Sequence, residues 1–361
     1  MRLGRALLLL AAGLLSGLAL VASAAGTTAK QDSKVRHLQQ PVGALAVDGD
    51  RIAYDLDARY AKNANARNKV LVWDVRTGKT VKVSGRKTAV GDGTSTGSGV
   101  FQLAIAGKHV AWLLNEGGNL ESQDYLFTSS VASPKERQVT SALRTGDNCG
   151  AGASHCAGPW LGGLVGSGNV IALNRWTTDS QGTVTSGQLD ALNGTKLASI
   201  ATGASTVWAV SSAGGREAVL RPDGSVAVYS SSGSVQVTVT PPSPQAVALS
   251  GKNLVVLSKS RKLEVYDAHT GALRSTLSLK GKGPQNLDAQ GGIATYTSGS
   301  SVRAVNLASG KDSELGKLAN RIAFARIASA GLAYAANGVR AQFGTSTLVF
   351  VPLARIKAAV G

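Results

Sequence analysis

The sequence predicts an all-β protein built from repeated units. The first observation is a hairpin pattern of two apolar runs separated by a glycine, clearest at Leu45–Tyr54 and Leu103–Trp112. Residues that alternate with a period of two, with a glycine at the turn, are typical of a β-hairpin. The pattern occurs seven times, with its glycines at Gly49, Gly107, Gly168, Gly215, Gly251, Gly291 and Gly331. A hairpin that recurs in this way indicates a repeat architecture.

A second turn pattern lies between the copies of the hairpin. Asp or Asn followed four residues later by Gly occurs at Asp74, Asp190, Asp267 and Asn306, each time after an apolar strand. An Asx side chain accepts backbone N–H groups in such a turn, and glycine takes the positive-φ position that closes it. Each unit therefore contains two hairpins, which provide four antiparallel strands, named a to d here.

Together the repeats predict a single seven-bladed β-propeller over residues 35–361, with six or eight blades as alternatives. Hairpin glycines in the second half of the chain are 36 to 40 residues apart, close to the length of one propeller blade. The last unit has three recognisable strands. We expect Val35–Leu38 to supply its fourth strand, because closing the ring removes an exposed sheet edge. Little helix is expected after residue 24.

Two segments resemble known repeats. Leu71–Lys79 reads LVWDVRTGK and Leu263–Gly271 reads LEVYDAHTG. Both resemble repeats of the WD40-like and quinoprotein-type (PQQ-like) propeller superfamilies, which implies a propeller architecture. The resemblance to quinoproteins would also imply a docking tryptophan after the Thr-Gly-Lys turn, adjacent cysteines and acidic metal ligands. The sequence lacks these features, so we expect no cofactor.

The first 24 residues have the form of a secretory signal peptide. Arg2 and Arg5 precede the apolar run Ala6–Val21, and Ala22–Ala24 is a small-residue cleavage pattern. An uncleaved anchor is the alternative, because about 20 apolar residues can span a bilayer. We expect cleavage after Ala24, a disordered segment over residues 25–34, and a secreted or extracytoplasmic protein without a further transmembrane segment.

The expected mature protein is strongly basic. The chain has 38 Lys and Arg against 21 Asp and Glu, and loss of Arg2 and Arg5 with the leader lowers the formal net charge from +17 to +15. In an exported protein this charge favours anionic cell-envelope polymers over nucleic acid as partners. The cations are scattered along the sequence, which is typical of a solvated surface.

The two cysteines, Cys149 and Cys156, bracket six mostly small residues. In an oxidising compartment this spacing predicts a local disulfide. A metal site that adds His155 is the alternative, although three ligands do not complete a structural zinc shell. No metal site is expected, apart from the alternative of a weak Ca²⁺ site at Asp55 and Asp57.

The longest insertions between predicted strands open onto one end of blades one to three. They include the b–c segments Asn115–Asp124 and Asn174–Gln188 and the d–a segment Ser141–Pro159. Binding residues concentrate on loops that a rigid scaffold positions. We therefore predict a ligand face of long loops with these residues: Tyr60, Arg67, Asp124, Tyr125, His155, Trp160, Arg175 and Trp176.

Trp160 and Trp176 beside Arg175 would suit sugar stacking or anion recognition; the alternative for Trp160 is a core position at the start of strand a. No catalytic set is evident, since Gly93–Gly97 matches Gly-x-Ser-x-Gly only within a Gly/Ser-rich loop. The leading hypothesis is an exported, non-catalytic binding or scaffold protein for an anionic cell-envelope polymer, a carbohydrate or a protein. The alternatives are a propeller enzyme acting on polysaccharide or peptidoglycan, and a structural envelope protein without a ligand.

Overall fold

A computed structural model describes residues 32–59, 66–89, 97–118, 120–146, 149, 156–203, 210–338 and 344–361. Over these residues the chain forms seven four-stranded antiparallel sheets. Each sheet packs against the next, and the last packs against the first. This arrangement confirms the predicted all-β, seven-bladed propeller.

The elements have the following bounds. Strand β1 is Lys34–Leu38, and blade one contains β2 (Leu45–Asp48), β3 (Arg51–Leu56), β4 (Lys69–Asp74) and β5 (Thr80–Lys82). The short helix α1 (Arg86–Ala89) precedes blade two, which contains β6 (Gly97–Ala106), β7 (His109–Gly117), β8 (Glu121–Ser130) and β9 (Arg137–Thr145). Blade three contains β10 (Gly158–Ser167), β11 (Val170–Thr178), β12 (Val184–Asn193) and β13 (Lys196–Thr202). Blade four contains β14 (Val210–Ala213), β15 (Arg216–Leu220), β16 (Val226–Ser230) and β17 (Val235–Val239).

The remaining blades follow the same order. Blade five contains β18 (Pro244–Ser250), β19 (Asn253–Ser258), β20 (Lys262–Asp267) and β21 (Leu273–Ser278). Blade six contains β22 (Gln285–Gln290), β23 (Ile293–Ser298), β24 (Ser301–Asn306) and β25 (Asp312–Lys317). Blade seven contains β26 (Ile322–Ile327), β27 (Gly331–Asn337) and β28 (Ser346–Pro352), and helix α2 (Leu353–Val360) follows it.

Blade seven is completed from the other end of the chain. Its sheet has the order β1-β28-β27-β26, and Lys34 pairs with Phe350 while Leu38 pairs with Ser346. The prediction that Val35–Leu38 closes the ring is therefore confirmed. Arg36 also reaches blade one, where its guanidinium lies 4.1 Å from the centre of the Trp73 ring.

The hydrophobic core lies between blades rather than at one centre. Each pair of neighbouring blades buries its own apolar cluster, and strands rich in Ala, Val and Leu form both walls. Between blades one and two, for example, Val72 and Ala53 pack in the same cluster as Trp112 and Val110. Burial of apolar surface on both sides of every sheet stabilises the ring, at about 25 cal/mol for each Å² removed from water.

The turn chemistry is as predicted at three of four positions. Asp74 Oδ1 accepts the Thr77 N–H at 2.7 Å, and Asp267 and Asn306 accept backbone N–H groups in their own turns. These hydrogen bonds to the ionised form lower the pKa of Asp267 to about 2. Asp190 is different: it is fully buried on β12 and bound to Arg175, so its prediction as a turn residue is wrong.

Helix α2 was not expected from the sequence. Its Ile356 and Val360 are buried against blades six and seven, and the Lys311 Nζ donates to the Gly361 carbonyl at 2.7 Å. Among the described residues, no helix has both the length and the apolar composition needed to cross a membrane.

Candidate functional site

The a–b and c–d turns lie at one end of the blades, the turn face, and the b–c and d–a connections lie at the other, the loop face. Blades two and three extend further towards the loop face than the others. Their a, b and c strands have nine or ten residues, whereas in the part of the chain that the structure describes no strand of the other blades has more than seven. At about 3.3 Å per residue, three additional residues add roughly 10 Å to the height of a sheet.

The prediction that this face consists of long loops is therefore wrong for two segments. Most of Asn115–Asp124 and Asn174–Gln188 continues as paired strand, and among their described residues the strands are interrupted at 118, 120 and 179–183. On β8 the period of two is present, but its buried positions include Ser122 and Asp124. Because these buried residues are polar, the segment does not have the apolar alternation by which a strand is recognised.

The extension of blade three carries the Trp160–Trp176 pair. The two indoles come from cross-strand partners on β10 and β11, their centres are 6.2 Å apart, and their planes differ by only 7°. Both side chains are half-buried. Gly162 leaves room for the pair, because a Cβ there would lie 2.8 Å from Trp176 Cη2. The pair is therefore a stacked aromatic surface that remains partly open to solvent.

A buried ion pair supports these indoles from blade two. Arg144 binds Asp124 at 2.7 Å, and both side chains are almost completely buried. The Arg144 guanidinium also donates to the Pro159 carbonyl and lies 3.9 Å from the centre of the Trp160 ring. Asn115 donates to the other Asp124 oxygen at 2.7 Å. Asp124 therefore positions Arg144, which in turn fixes Trp160; it is not available as a ligand-binding carboxylate.

Arg175 does not lie on the same side as the indoles. Successive residues of a strand point to opposite faces, so Arg175 points away from Trp176. Its guanidinium binds Asp190 at 2.5 Å, and Asp190 is fully buried while Arg175 is about one third exposed. The cation that contacts the aromatic pair is Arg144, which was not among the selected ligand-face residues.

The other predicted face residues are dispersed. Tyr125 stacks on Phe127 at 5.9 Å and donates its hydroxyl to Gln123, so it belongs to the packing of blades one and two. Arg67 is exposed on blade one, with a side-chain bond only to the neighbouring Ala66 carbonyl among the contacts that the structure describes. Tyr60 and His155 lie outside the described residues.

The predicted disulfide is present between Cys149 and Cys156. It is linked to the aromatic pair through Thr178. The Thr178 hydroxyl donates to the Cys156 carbonyl at 2.7 Å and accepts the Trp160 Nε1–H at 2.8 Å. The disulfide therefore fixes the chain directly before β10 and, with it, one edge of the Trp160 ring.

A central cavity of about 580 Å³ is lined by strand a of all seven blades. Its charged lining residues are Asp48, Asp288 and Arg326. Asp48 accepts the Gly107 N–H at 2.5 Å and Asp288 accepts the Ile327 N–H at 2.8 Å, so both carboxylates join one blade to the next. Burial raises the pKa of Asp288.

The described residues contain no cluster of three or more His, Cys, Asp or Glu that could hold a metal ion. At the acid pair considered for Ca²⁺, Asp57 binds Arg59 at 2.8 Å. One oxygen of Asp55 accepts the N–H groups of Gly43 and Ala44. These carboxylates are thus engaged with protein groups.

Comparisons with known proteins support the fold. No family model matches the chain, and no curated protein matches it. The WD40 β-propeller domain of Doa1 aligns at 12% identity with a TM-score of 0.52, over 89% of this chain and 96% of that chain. Sqt1 from Saccharomyces cerevisiae aligns at 10% identity and 0.50, over 89% and 98%. BamB from Moraxella catarrhalis aligns at 13% identity and 0.44, over 86% of each chain. The chain is thus similar to β-propellers of solved structure.

Proposed function

We propose that this protein is an exported, non-catalytic binding protein whose loop face binds a carbohydrate of the cell envelope through the Trp160–Trp176 pair. The observation that carries the proposal is the pair itself: two parallel, half-buried indoles on a sheet that extends beyond the ring. A sugar ring has an apolar C–H face and polar edges. An aromatic surface with polar groups around it complements both.

The fixed orientation of Trp160 also supports binding. Trp160 is fixed by Arg144 on its ring and by Thr178 at its Nε1–H, and both contacts come from residues that are at least nine-tenths buried. A surface that is already ordered loses less side-chain entropy when a ligand binds. The expected export agrees with a ligand outside the cytoplasm. In the central cavity, Asp48 and Asp288 accept backbone N–H groups of the next blade, which favours binding over catalysis.

The test is binding of residues 25–361 to soluble glucan, mannan and peptidoglycan fragments, measured by calorimetry. Trp176→Ala should lower affinity at least tenfold, whereas Trp176→Phe should retain most of it because an aromatic face remains. Gly162→Ala should also weaken binding, since its Cβ would displace the Trp176 ring without removing it. Arg175→Ala is a poor probe, because it would leave Asp190 buried without its cation.

Thermal unfolding of the same variants separates loss of the site from loss of the fold. Trp176→Phe and Gly162→Ala should keep a cooperative transition close to that of the wild type. Wild-type affinity for every bound glycan in both Trp176→Ala and Gly162→Ala would exclude the indole pair as the binding surface.

A further inference from the structure

Six exposed cations gather on the loop face of blades five and six, away from the indole pair. The b–c turn of blade five holds Lys259 and Arg261, the connection to blade six holds Lys280 and Lys282, and the connection to blade seven is flanked by Lys317 and Arg321. We call these six residues the basic patch. They are spread over more than sixty residues of sequence, so no charge run marks them.

Hydrogen bonds between the connections hold the basic patch together. The Leu279 N–H donates to the Arg261 carbonyl at 3.1 Å, and Arg261 Nη1 donates to the Gly281 carbonyl at 3.3 Å. The Lys282 N–H donates to the Ser298 hydroxyl at 2.9 Å. The next connection follows directly, since the Leu318 N–H donates to the Ser300 carbonyl at 3.0 Å. The six cations thus belong to one continuous surface.

The acids of the same two blades do not neutralise the basic patch. Among the described residues, none of the six cations forms a salt bridge. The carboxylates of the five acids between residues 240 and 320 do not pair with these cationic side chains, although Asp312 Oδ2 accepts the backbone N–H of Lys280 at 3.0 Å. Glu264 accepts from Tyr266, Asp267 binds Arg274, Asp288 accepts the Ile327 N–H, and Asp312 and Glu314 bind Arg303.

The backbone conformation of Arg261 gives a second, independent indication that the basic patch has a binding role. It has a φ of +64°, a left-handed conformation that side chains other than Gly, Asn and Asp rarely adopt. The corresponding b–c turns of blades three and four have Gly182 and Gly224 at this position, each with the same N–H to carbonyl bond back across the turn. An arginine here carries about 1 kcal/mol or more of backbone strain. A cation is therefore present at a position where glycine would stabilise the fold.

We propose that the basic patch binds an acidic polysaccharide along the loop face. This inference rests on the proposed function, in which the ligand is a polysaccharide. It adds that this polysaccharide is polyanionic. The segments of the patch contain no aromatic residue on which nucleotide bases could stack. Among the residues whose burial is described, the exposed large apolar side chains lie outside the basic patch: Val35, Leu120, Leu143, Val235 and Leu273. A membrane-inserting surface is therefore not favoured.

The experiment compares two variants of residues 25–361 with equal charge. One carries Lys280→Gln, Lys282→Gln and Lys317→Gln in the basic patch. The control carries Lys79→Gln, Lys108→Gln and Lys252→Gln, which are exposed on the turn face. Binding to polygalacturonate, dextran and phosphatidylglycerol vesicles is measured between 25 and about 300 mM salt, because ionic strength screens exposed charges.

We expect the patch variant to bind polygalacturonate at least tenfold more weakly at low salt, with a shallower salt dependence, and the control to bind like the wild type. For phosphate polymers each lost contact lowers the slope of log K against log salt by about 0.7–0.9, and a similar decrease is expected here. Arg261→Gly should raise the unfolding temperature while it weakens polygalacturonate binding.

An equal loss of polygalacturonate affinity in both triple variants would overturn the proposal for the basic patch, because net charge alone would then account for binding. Wild-type binding to the vesicles but not to polygalacturonate would also overturn it. Dextran distinguishes the two proposals: dextran binding that depends on Trp176, without stronger binding of polygalacturonate, would retain the proposed function and reject the basic patch. Polygalacturonate binding lost in the patch variant but unaffected by Trp176→Ala would retain the patch and reject the indole pair.

Discussion

At the scale of single residues, Asp55 is a carboxyl group whose pKa the fold raises. It is fully buried on β3, and its Oδ1 accepts the N–H groups of Gly43 and Ala44 at 2.7 and 2.6 Å, while Oδ2 has no hydrogen-bond partner. Burial, and next the nearby Asp57 carboxylate, raise the pKa of Asp55 well above its ordinary value. The folded protein therefore holds a proton at Asp55 more tightly than the unfolded chain does.

This difference in pKa predicts a pH dependence of stability. The contribution of Asp55 is full below its ordinary pKa of about 3.8, and it is lost as the pH rises towards the folded value. Asp55→Asn keeps an acceptor for the two N–H groups and removes the ionisable group. We expect the free energy of unfolding of Asp55→Asn, relative to the wild type, to rise between pH 4 and pH 7 in urea titrations.

Asp74→Asn is the matched control with the opposite sign. The Thr77 N–H donates to Asp74 and lowers its pKa, so its contribution is present above the ordinary value and lost on acidification. Asp74→Asn should therefore lose stability relative to the wild type as the pH rises towards the ordinary pKa of about 3.8, and the difference should stay constant between pH 4 and pH 7. The same pH trend in both variants would contradict the assignment for Asp55.

At the scale of elements, the sequence allowed the hairpins to be predicted wherever apolar residues occupy the buried positions. The strands Leu45–Asp48 and Arg51–Leu56 form a β-hairpin with its turn at Gly49, as expected. The extended ends of blades two and three were interpreted as loops because polar groups are buried there, among them Asp124 and Arg144. The burial of each charge depends on its ion pair with the other on the neighbouring strand. The sequence pattern of a single strand does not show such a pair.

The disulfide is an element whose removal should affect the indole pair. A bridge that closes a loop of eight residues contributes about 2–3 kcal/mol in the chain-entropy estimate. Cys149→Ser with Cys156→Ser should lower the free energy of unfolding by roughly that amount. It should also loosen Trp160, since the Cys156 carbonyl accepts from Thr178. A shift in tryptophan fluorescence in the folded state, with weaker glycan binding, is expected.

Reduction of the wild-type protein is the control for the serine substitutions. Dithiothreitol should reproduce both the loss of stability and the change in fluorescence, and it should have no further effect on the double variant. An unchanged fluorescence spectrum and full glycan affinity after reduction would mean that the disulfide does not act on Trp160.

At the scale of the whole molecule, the ring brings together residues that are far apart in the sequence. The cations of the basic patch are far apart in the sequence but lie on one face of the fold, because each blade returns its b–c and d–a connections to that face. The blade count and the closure by Val35–Leu38 could be predicted, since both depend on a repeat and on the missing strand of the last blade. Trp160 and Trp176 could be selected from the sequence as candidate binding residues. The contact between the Arg144 guanidinium and the Trp160 ring could not be predicted in this way.

Strand β1 closes the ring by pairing with β28 in the last blade. Five residues of β1 pair with β28, and Arg36 continues to blade one, where it donates to Thr80 Oγ1 at 2.6 Å and to the Gly78 carbonyl at 2.9 Å. A chain that begins at Gln39 lacks the strand and leaves the edge of β28 unpaired. A chain that begins at Asp32 keeps it and serves as the control. Unfolding in urea and light scattering compare the two.

The chain that begins at Gln39 should unfold at lower urea and self-associate, because an unpaired strand edge is a template for another chain. Arg36→Ala keeps the strand but loses the contacts with Trp73, Thr80 and Gly78. It should lower the free energy of unfolding by about 1–3 kcal/mol, the range for hydrogen bonds to a charged group with a cation–π contact, and stay monomeric. If the two truncated chains had the same urea midpoint, β1 would be an accessory strand, and the apolar cluster between blades seven and one would close the ring without it.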